Sequence, residues 1–420
     1  MDKFVINGPS RLEGKIRVEG SKNAALPIIA GALLVDRGET VIRNVPPLRD
    51  IHTLNKMLEF LGAKVTYDTK AQVLTVNASH ITENTAPYDL MRQMRASFLV
   101  LGPLLARTGE ARISLPGGCS LGARPVDYHI KGFAGLGADI KEEAGYVVAT
   151  GRPLKGGTIY FDRPSHTGTE NLMFGAVFAK GKTEIINAAC DPEIVDVADY
   201  LNAAGAKIHG AGTPHIVIEP VKRLKAIDYK VCGDRLVAGT YLFGAGMTGG
   251  QVEITGLPSA DLSMVLSKLR DMGCQITVKA RSVNLKAPKR LMATNITTFP
   301  YPGFPTDLQA CAMAAACEAT GTSHVKETVF EDRFSHTMEF RRLGAEITVS
   351  SGEAVVTGVR RLHGAEVMAP DIRAGAGIVL ACLAAEGESS VLRVYHIDRG
   401  YYRLEEKLAA LGADIKRKSE

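Results

Sequence analysis

The chain has 420 residues, of which 45% are hydrophobic and 23% are charged, and its formal net charge is +5. This length exceeds one ordinary hydrophobic core and predicts two domains in a large globular protein. A charge this mild, without a basic run or a basic patch interleaved with aromatic residues, argues against a nucleic-acid partner.

One sequence pattern recurs six times along the chain. It consists of Gly, a small residue, any residue and then Ile or Val, and its copies are separated by 75, 68, 68, 71 and 68 residues. Each copy is preceded by a further glycine that separates an apolar run from a strand-like run. A period of about 70 residues indicates a whole supersecondary module repeated six times. The first pattern stands at Gly62, Gly137, Gly205, Gly273, Gly344 and Gly412, and the second at Gly38, Gly109, Gly181, Gly250, Gly321 and Gly387.

Each module predicts the same order of elements. An Ala/Leu-rich amphipathic helix ends at a C-cap glycine, and a short β-branched strand with a polar loop follows. A second helix then ends at the Gly-small pattern, and two strands close the module as a hairpin, as in residues 64–78. The fold class is therefore α/β, with six β-α-β-α-β-β-like modules, three in each domain.

An aspartate precedes each Gly-small pattern by 9 to 14 residues. Because a carboxylate accepts hydrogen bonds from the free N–H groups that begin a helix, we expect this series to be N-caps. The series consists of Asp50, Asp127, Asp196, Asp261, Asp332 and Asp398.

Basic residues concentrate in the loops that precede the predicted helices. Equivalent loops of a repeated fold face the same way, and helix N-termini attract anions. The sequence therefore predicts a site for a highly anionic ligand. These residues are Lys22, Arg95, Arg124, Arg163, Arg333, Arg373 and Arg399.

Residues 116–127, PGGCSLGARPVD, form the most unusual of these loops. Its glycines allow unusual backbone geometry before Cys119, and Arg124 can hold a phosphate and activate the thiol through its charge. The other six cysteines show no metal-ligand spacing and are expected to be inert.

Seven cysteines without a pairing pattern indicate a reducing cytoplasm. The N-terminal segment lacks the apolar core of a signal peptide, and the longest apolar stretches are too short to span a bilayer.

Several motifs together resemble the UDP-N-acetylglucosamine 1-carboxyvinyltransferases, a family of enolpyruvyl transferases. They are the loop PGGCSLGARPVD and, elsewhere, GSKNAALPI, FPTDLQA, ETVFEDRF and YHIDRGY. The resemblance covers essentially the whole chain. It implies a two-domain inside-out α/β barrel, or prism, with the active site in the cleft between the domains. One domain would span residues 22–231, and the other would join residues 1–21 to residues 232–420.

The resemblance also implies a reaction. The enolpyruvyl group of phosphoenolpyruvate moves to the 3′-hydroxyl of UDP-N-acetylglucosamine by addition and elimination, and phosphate is released. This is the first committed step of peptidoglycan synthesis and takes place in the cytoplasm. It needs two small-molecule substrates and neither a metal nor a cofactor.

Roles carry over position by position as implications of the resemblance. Cys119 matches the general acid and adduct-forming thiol, Asp307 the base, and Lys22 and Arg399 are further catalytic residues. The substrate-binding positions are Lys22, Asn23, Arg95, Arg124, Pro125, Val126, Asp127, Tyr128, Arg163, Ser165, His166, Asp307, Val329, Arg333, Asp371 and Arg373.

Structural roles remain open for some of these residues. Asp307 could cap a helix after Pro305, Ser21 could cap the helix that begins near Lys22, and Asp371 could form an ion pair with Arg373.

Two segments depart from the family pattern. Residues 163–166 read Arg-Pro-Ser-His where the family often has Lys-Val-Ser-Val, and an acidic pair is written Asp191-Pro192-Glu193. We interpret His166 as a tolerated loop residue. Three alternatives stay open: a 5-enolpyruvylshikimate 3-phosphate synthase, a noncatalytic paralogue that binds a nucleotide sugar, and an RNA-processing protein.

Overall fold

A computed structural model describes residues 2–92, 94–115, 126–331 and 333–419. The chain divides into two compact units. One is built on residues 20–232, and the other joins the residues before 20 to those from 233 onward. Within the described ranges, no helix is long and apolar enough to cross a membrane.

The strands of the described chain form six four-stranded sheets, three in each unit. Every sheet has one parallel pair of strands at an edge, and its other pairs are antiparallel. In hydrogen-bonded order, the sheets of the unit 20–232 are Asp228–Lys230, Thr40–Arg43, Val73–Asn77, Lys64–Asp68; then Thr85–Ala86, Glu110–Ser114, Tyr146–Thr150, Asp139–Glu143; then Gly157–Tyr160, Thr183–Ile186, His215–Glu219, Lys207–His209. Those of the other unit are Gln275–Lys279, Ser282–Lys286, Gln251–Thr255, Glu13–Arg17; then Ile296–Thr297, Thr322–Lys326, Glu353–Thr357, Glu346–Ser350; then Glu366–Met368, Gly387–Leu392, Asp2–Gly8, Asp414–Ser419.

Each unit also contains several helices. The helices of the unit 20–232 are Lys22–Gly31, Arg49–Phe60, Tyr88–Met91, Leu101–Thr108, Asp127–Gly135, His166–Ala176 and Pro192–Ala203. Those of the other unit are Arg235–Met247, Ser263–Asp271, Gln309–Cys317, Thr337–Arg342, Ile372–Ala384 and Leu404–Ala410.

The first helix of each module is buried more completely than an amphipathic helix would be. In the unit that begins at residue 233, Arg235–Met247, Gln309–Cys317 and Ile372–Ala384 pack against one another. Every residue of Gln309–Cys317 is buried. Helices that are apolar all round belong in a core, so the expected amphipathic pattern is wrong here. The sheets lie outside these helices, which confirms the inside-out α/β architecture within each unit.

Strands are exchanged between distant parts of the chain. The sixth module has one closing strand, Asp414–Ser419, and its partner is the N-terminal strand Asp2–Gly8. The strand Glu13–Arg17 pairs in parallel with Gln251–Thr255 and completes the fourth module. The expected hairpin in every module is therefore wrong for the sixth, because its second strand comes from the start of the chain.

The six Gly-small glycines share a left-handed backbone, with φ between 90° and 108°. This conformation ends a helix and disfavours any side chain, which explains the recurrence of glycine. Gly250 has a different reason for being glycine. A Cβ there would lie 2.0 Å from the carbonyl oxygen of Leu12, so it is required by a close backbone approach.

The expectation that the aspartate series consists of N-caps is wrong. Asp50 lies inside the first turn of its helix, and Asp196 lies in the middle of Pro192–Ala203. Asp196 accepts hydrogen bonds from the Tyr229 hydroxyl and the Cys232 N–H. The helices differ in length, so the number of residues between an aspartate and the glycine that ends its helix does not identify the residue at which the helix begins.

Other members of the series also have different places. Asp127 is the first residue of its helix, and the N-cap position belongs to Val126. Asp261 lies in a 3₁₀ turn, and Asp398 forms an ion pair with Arg417 at 2.6 Å. Asp332 lies outside the described residues. The side chains that do cap helices are Ser165, Asp234 and Asp371.

Candidate active site

Three of the predicted site residues lie outside the described part of the chain. They are Cys119, Arg124 and Pro125, all within residues 116–125. Arg95 begins the 3₁₀ turn Arg95–Val100, but the structure does not describe its side chain. The roles expected for these residues therefore stay predictions.

Lys22 is the first residue of the helix Lys22–Gly31, where its ammonium group is almost fully buried. Its Nζ donates a hydrogen bond of 3.2 Å to Asp50 Oδ2, and the two side chains are 10% and 4% exposed. A buried charge requires such a partner. Ser21 holds the N-cap position but makes no side-chain cap bond. Asn23, the next residue, is half-buried.

Two predicted substrate-binding segments come together in the unit 20–232. The Tyr128 ring packs edge-on against Phe161, with 5.3 Å between ring centroids. One residue further on, His129 Nε2 lies 3.2 Å from Thr167 Oγ1. These contacts set Val126, Asp127 and Tyr128 beside the segment 163–166.

The segment 163–166 is positioned by the start of a helix. Ser165 is the N-cap of His166–Ala176, and its Oγ accepts a hydrogen bond from the Gly168 N–H at 3.2 Å. Arg163, two residues earlier, is exposed.

His166 belongs to a strongly acidic cluster. Its Nδ1 lies 3.3 Å from Glu170 Oε1. Burial lowers the pKa of the His166 imidazole, but Glu170, Asp191 and Glu193 raise it by more, to about 10. Burial also raises the pKa of the Glu170 carboxyl. His166 therefore makes specific contacts that its interpretation as a tolerated loop residue did not include.

Asp307 is held between two arginines in the other unit. Its Oδ1 lies 2.8 Å from Arg333 Nη1, and its Oδ2 lies 3.1 Å from Arg373 Nε. Both arginine side chains are nearly buried, at 6% and 5% exposure, whereas the carboxylate is 27% exposed. Asp307 lies in the 3₁₀ turn Thr306–Leu308, and the N-cap position of that turn is held by Pro305. The two guanidinium groups therefore fix the direction of a carboxylate that solvent can still reach.

Glu327 connects Asp307 to Val329. Its Oε2 accepts a hydrogen bond from Thr306 Oγ1 at 2.9 Å, and its Oε1 accepts one from the Val329 N–H at 2.8 Å. Arg333 Nη1 also donates to Thr306 Oγ1 at 2.9 Å. One buried carboxylate thus organises both predicted segments.

Asp371 and Arg373 serve different partners, so the ion pair considered between their side chains is not the arrangement observed. Asp371 caps the helix Ile372–Ala384 by accepting from the backbone N–H groups of Arg373 and Ala374. The Arg373 guanidinium turns to Asp307 and lies over the Tyr401 ring, 5.3 Å from its centroid. Burial lowers the pKa of Arg373, but Tyr401, Asp307 and Asp234 raise it by more. The Arg373 cation is therefore stable where it lies.

His336 is a buried histidine near this group. Burial lowers its pKa to about 4, Asp371 opposes this change, and Arg333 adds to it. The native protein therefore keeps His336 neutral below the pH at which an unfolded chain, with an ordinary pKa of about 6.5, takes up a proton.

Stability is expected to fall as the pH is lowered from about 6.5 to about 4, because the unfolded chain binds a proton that native His336 does not. The contribution is roughly 1.4 kcal/mol per pH unit within this window. Urea unfolding at a series of pH values measures it. His336→Leu should flatten the dependence, whereas replacement of the exposed His363 should not. Equal slopes for wild type and His336→Leu would contradict this assignment.

Arg399 is the last residue of the 3₁₀ turn Val394–Arg399 and is half-buried.

Three of the remaining thiols are poor nucleophiles by comparison with a free cysteine. Burial raises the pKa of Cys274, Cys311 and Cys382 to about 12, and a high pKa leaves little thiolate at neutral pH.

The structure thus gathers two groups of predicted residues. Val126, Asp127 and Tyr128 lie beside 163–166 in one unit, and Asp307, Val329, Arg333, Asp371 and Arg373 lie close together in the other. Sequence reasoning did not identify three buried partners of these residues. They are Asp50, Glu327 and His336. For Glu327, the signal was its place at the start of ETVFEDRF.

The chain matches the family described as EPSP synthase (3-phosphoshikimate 1-carboxyvinyltransferase) over residues 6–408. Among solved structures, the enolpyruvyl transferase NikO from Streptomyces tendae has a TM-score of 0.90 at 25% identity and covers 100% of this chain and 99% of its own. An EPSP synthase from Acinetobacter baumannii has a TM-score of 0.76 at 18% identity, with full coverage of both chains, and shows the shared fold. The chain therefore belongs to the EPSP synthase family of 1-carboxyvinyltransferases.

Relatives within this family are similar along their whole length. The UDP-N-acetylglucosamine 1-carboxyvinyltransferase of Myxococcus xanthus is 51% identical over 99% of both chains. Proteins of the same name from Trichlorobacter lovleyi and Geobacter metallireducens are 51% and 50% identical over the full length of both chains. The family predicted from the motifs is therefore confirmed.

Proposed function

We propose that the protein is an enzyme that transfers the enolpyruvyl group of phosphoenolpyruvate to the 3′-hydroxyl of UDP-N-acetylglucosamine and releases phosphate. The observation that carries this proposal is the identity of 51% over 99% of both chains to a relative of that name. The chain also has the matching motif residues Lys22, Cys119, Asp307 and Arg399. The first committed step of peptidoglycan synthesis, in the cytoplasm, belongs to the same proposal.

In the addition step, Cys119 gives a proton to the methylene carbon of phosphoenolpyruvate. The sugar oxygen bonds to the neighbouring carbon, and Asp307 accepts the hydroxyl proton. In the elimination step, the Cys119 thiolate takes a proton back from the new methyl group, the carbon–oxygen bond to phosphate breaks, and the vinyl group is restored. The proton held by Asp307 is then released to the departing phosphate or to solvent. Lys22, Arg124 and Arg399 balance the charge of the phosphate and carboxylate.

The geometry within each unit supports these roles. Asp50 holds the Lys22 ammonium at a helix start, where a substrate anion is also favoured. Arg333 and Arg373 fix both oxygens of Asp307, so that its partly exposed carboxylate keeps one direction. Such prior ordering lowers the cost of orienting a base toward its substrate.

The substrate that accepts the enolpyruvyl group distinguishes this proposal from its alternatives. The purified protein is incubated with phosphoenolpyruvate and excess chelator, with either UDP-N-acetylglucosamine or shikimate 3-phosphate. We expect phosphate and the enolpyruvyl sugar nucleotide in the first mixture, detected by mass spectrometry. Product with shikimate 3-phosphate alone would support the second candidate, an EPSP synthase, which the family description favours. Binding of the sugar nucleotide without turnover would instead indicate a noncatalytic paralogue.

A further inference from the structure

Asn171 is a fully buried amide that connects several parts of the chain. It lies on the helix His166–Ala176, and its Oδ1 accepts a hydrogen bond of 2.7 Å from the Gly102 N–H. Its Nδ2 donates a hydrogen bond of 3.0 Å to the Phe98 carbonyl oxygen and lies 3.0 Å from Nδ1 of the buried His129. The amide therefore uses its oxygen and both of its N–H groups.

These contacts determine where the His129 ring carries its proton. The Gly102 N–H can only donate, so the amide atom that faces it is the oxygen, and the NH₂ group of Asn171 faces His129. Nδ1 of His129 must then accept, and the ring proton lies on Nε2. From there it is donated to Thr167 Oγ1 at 3.2 Å. One continuous series of hydrogen bonds thus runs from the Gly102 N–H to the Thr167 hydroxyl.

Close packing holds the same groups together. The Phe98 ring packs edge-on against the His129 ring, with 5.0 Å between the ring centroids. A Cβ on Gly102 would lie 2.4 Å from the backbone carbonyl oxygen of Asn171 and 2.5 Å from its Oδ1. Glycine is therefore required for the amide to approach the backbone this closely.

The network joins the three segments of this unit that carry predicted substrate-binding residues. Because both N–H groups of Asn171 and the ring proton of His129 are in use, displacement of one segment would break a hydrogen bond to another. Each segment takes part through one residue, which lies within the segment or directly follows it. These residues are Phe98 in the turn Arg95–Val100, His129 after residues 126–128, and Thr167 after residues 163–166.

We propose that Asn171 and His129 are positioning residues that hold these three segments in the arrangement that binds UDP-N-acetylglucosamine. This role rests on the proposed function, which assigns the segments to that substrate. Segments that are ordered before binding lose less conformational freedom when the ligand binds, and the affinity is higher for that reason. The contribution of the network therefore lies in the binding of the sugar nucleotide and much less in kcat.

Asn171→Asp tests this role with little change of shape. A carboxylate still accepts from the Gly102 N–H, but it cannot donate to the Phe98 carbonyl oxygen or to His129 Nδ1. We expect the Kd of UDP-N-acetylglucosamine, measured by titration calorimetry, to rise about tenfold or more. The KM for the sugar nucleotide should rise by a similar factor, and kcat should change far less.

Further variants separate this role from a general loss of stability. Asn202→Asp is the matched control, because Asn202 Nδ2 donates to the Ile208 carbonyl oxygen at 2.9 Å in the same unit, and it should keep the wild-type Kd and KM. Thr167 is exposed, so Thr167→Val removes the acceptor of His129 Nε2 and spares the core. It should raise the KM about threefold or more and retain kcat, even where Asn171→Asp does not fold. Thr167→Ser keeps the hydroxyl and should keep the wild-type KM.

Nitrogen-15 magnetic resonance of histidine-labelled protein measures the network without turnover. The His129 signals are those that His129→Gln lacks. In the wild type, Nε2 should be protonated and Nδ1 should not. Asn171→Asp should bring a proton to Nδ1, because a carboxylate can only accept. A wild-type ring with its proton on Nδ1 would overturn the proposal.

The kinetic outcomes distinguish this role from the proposed function. No turnover of the sugar nucleotide by the wild type would overturn both. Wild-type turnover together with an unchanged KM in a folded Asn171→Asp, or in Thr167→Val, would overturn the positioning role alone. An equal loss of affinity in Asn202→Asp would do the same.

Discussion

Replacement of Cys119 by serine is expected to lower kcat by about 100-fold or more at neutral pH. A general acid contributes about 10²–10⁴ to a rate, and an alcohol gives up a proton far less readily than a thiol. Cys119→Asp should retain more activity than Cys119→Ser, because a carboxyl group can also donate a proton. Steady-state phosphate release with both substrates measures the three rates.

Alkylation tests the same residue without turnover. Fosfomycin carries a phosphonate that mimics phosphate and an epoxide that a thiol can open, so peptide mapping should find its adduct at Cys119. The buried Cys274, Cys311 and Cys382, whose pKa values are raised to about 12, should stay unmodified. Cys190→Ser, which removes a half-buried thiol in the unit 20–232, is the matched control. Labelling elsewhere, or full activity in Cys119→Ser, would contradict the assignment.

The repeat made most of the fold predictable. A left-handed glycine is required wherever a helix ends in this way, and φ at Gly62 and Gly412 is 104° and 101°. The pairing of the N-terminal strand Asp2–Gly8 with Asp414–Ser419 was harder to predict from the residue pattern, because the two strands lie far apart in the chain and meet only in the folded protein. A local pattern identifies a strand but does not identify its partner.

The sequence predicted the candidate-site residues that stand in recognisable motifs, but it did not predict the residues that contact them. Lys22 and Asp307 stand in motifs that can be recognised from sequence. The roles of their partners were not predicted, since Asp50 resembled a helix cap and Glu327 stands in the motif ETVFEDRF without a role assigned to it. Both are buried carboxylates whose roles follow from hydrogen bonds made across the fold.

The cluster around His166 shows what a departure from a family pattern can indicate. At sequence level a histidine in place of valine in a loop is most simply a tolerated change. The structure instead sets it against buried Glu170 and within reach of Asp191 and Glu193. Its meaning depends on neighbours 4 to 27 residues away, which no local spacing rule connects.

Replacement of Asp307 by asparagine is expected to lower kcat by about 100-fold or more, with a smaller effect on stability. The amide cannot accept the proton of the sugar hydroxyl, and loss of a general base costs about 10²–10⁴ in rate. The change also leaves the nearly buried Arg333 and Arg373 without a carboxylate that lies 2.8 and 3.1 Å away. Steady-state kinetics and urea unfolding of the same preparation measure the two effects separately.

Asp228→Asn is the matched control for the loss of an ion pair, because Asp228 accepts from the Arg43 guanidinium at 2.6 Å through its Oδ2. This exposed pair is expected to contribute little to stability and nothing to turnover, because solvent screens the charges of an exposed ion pair. If Asp307 is the base, Asp307→Asn should lose kcat at every pH, while the KM for the sugar nucleotide changes little. Suppose instead that Asp307→Asn keeps more than about a tenth of kcat and loses mainly stability. Asp307 would then serve to hold Arg333 and Arg373, and the sugar hydroxyl would require a different proton acceptor.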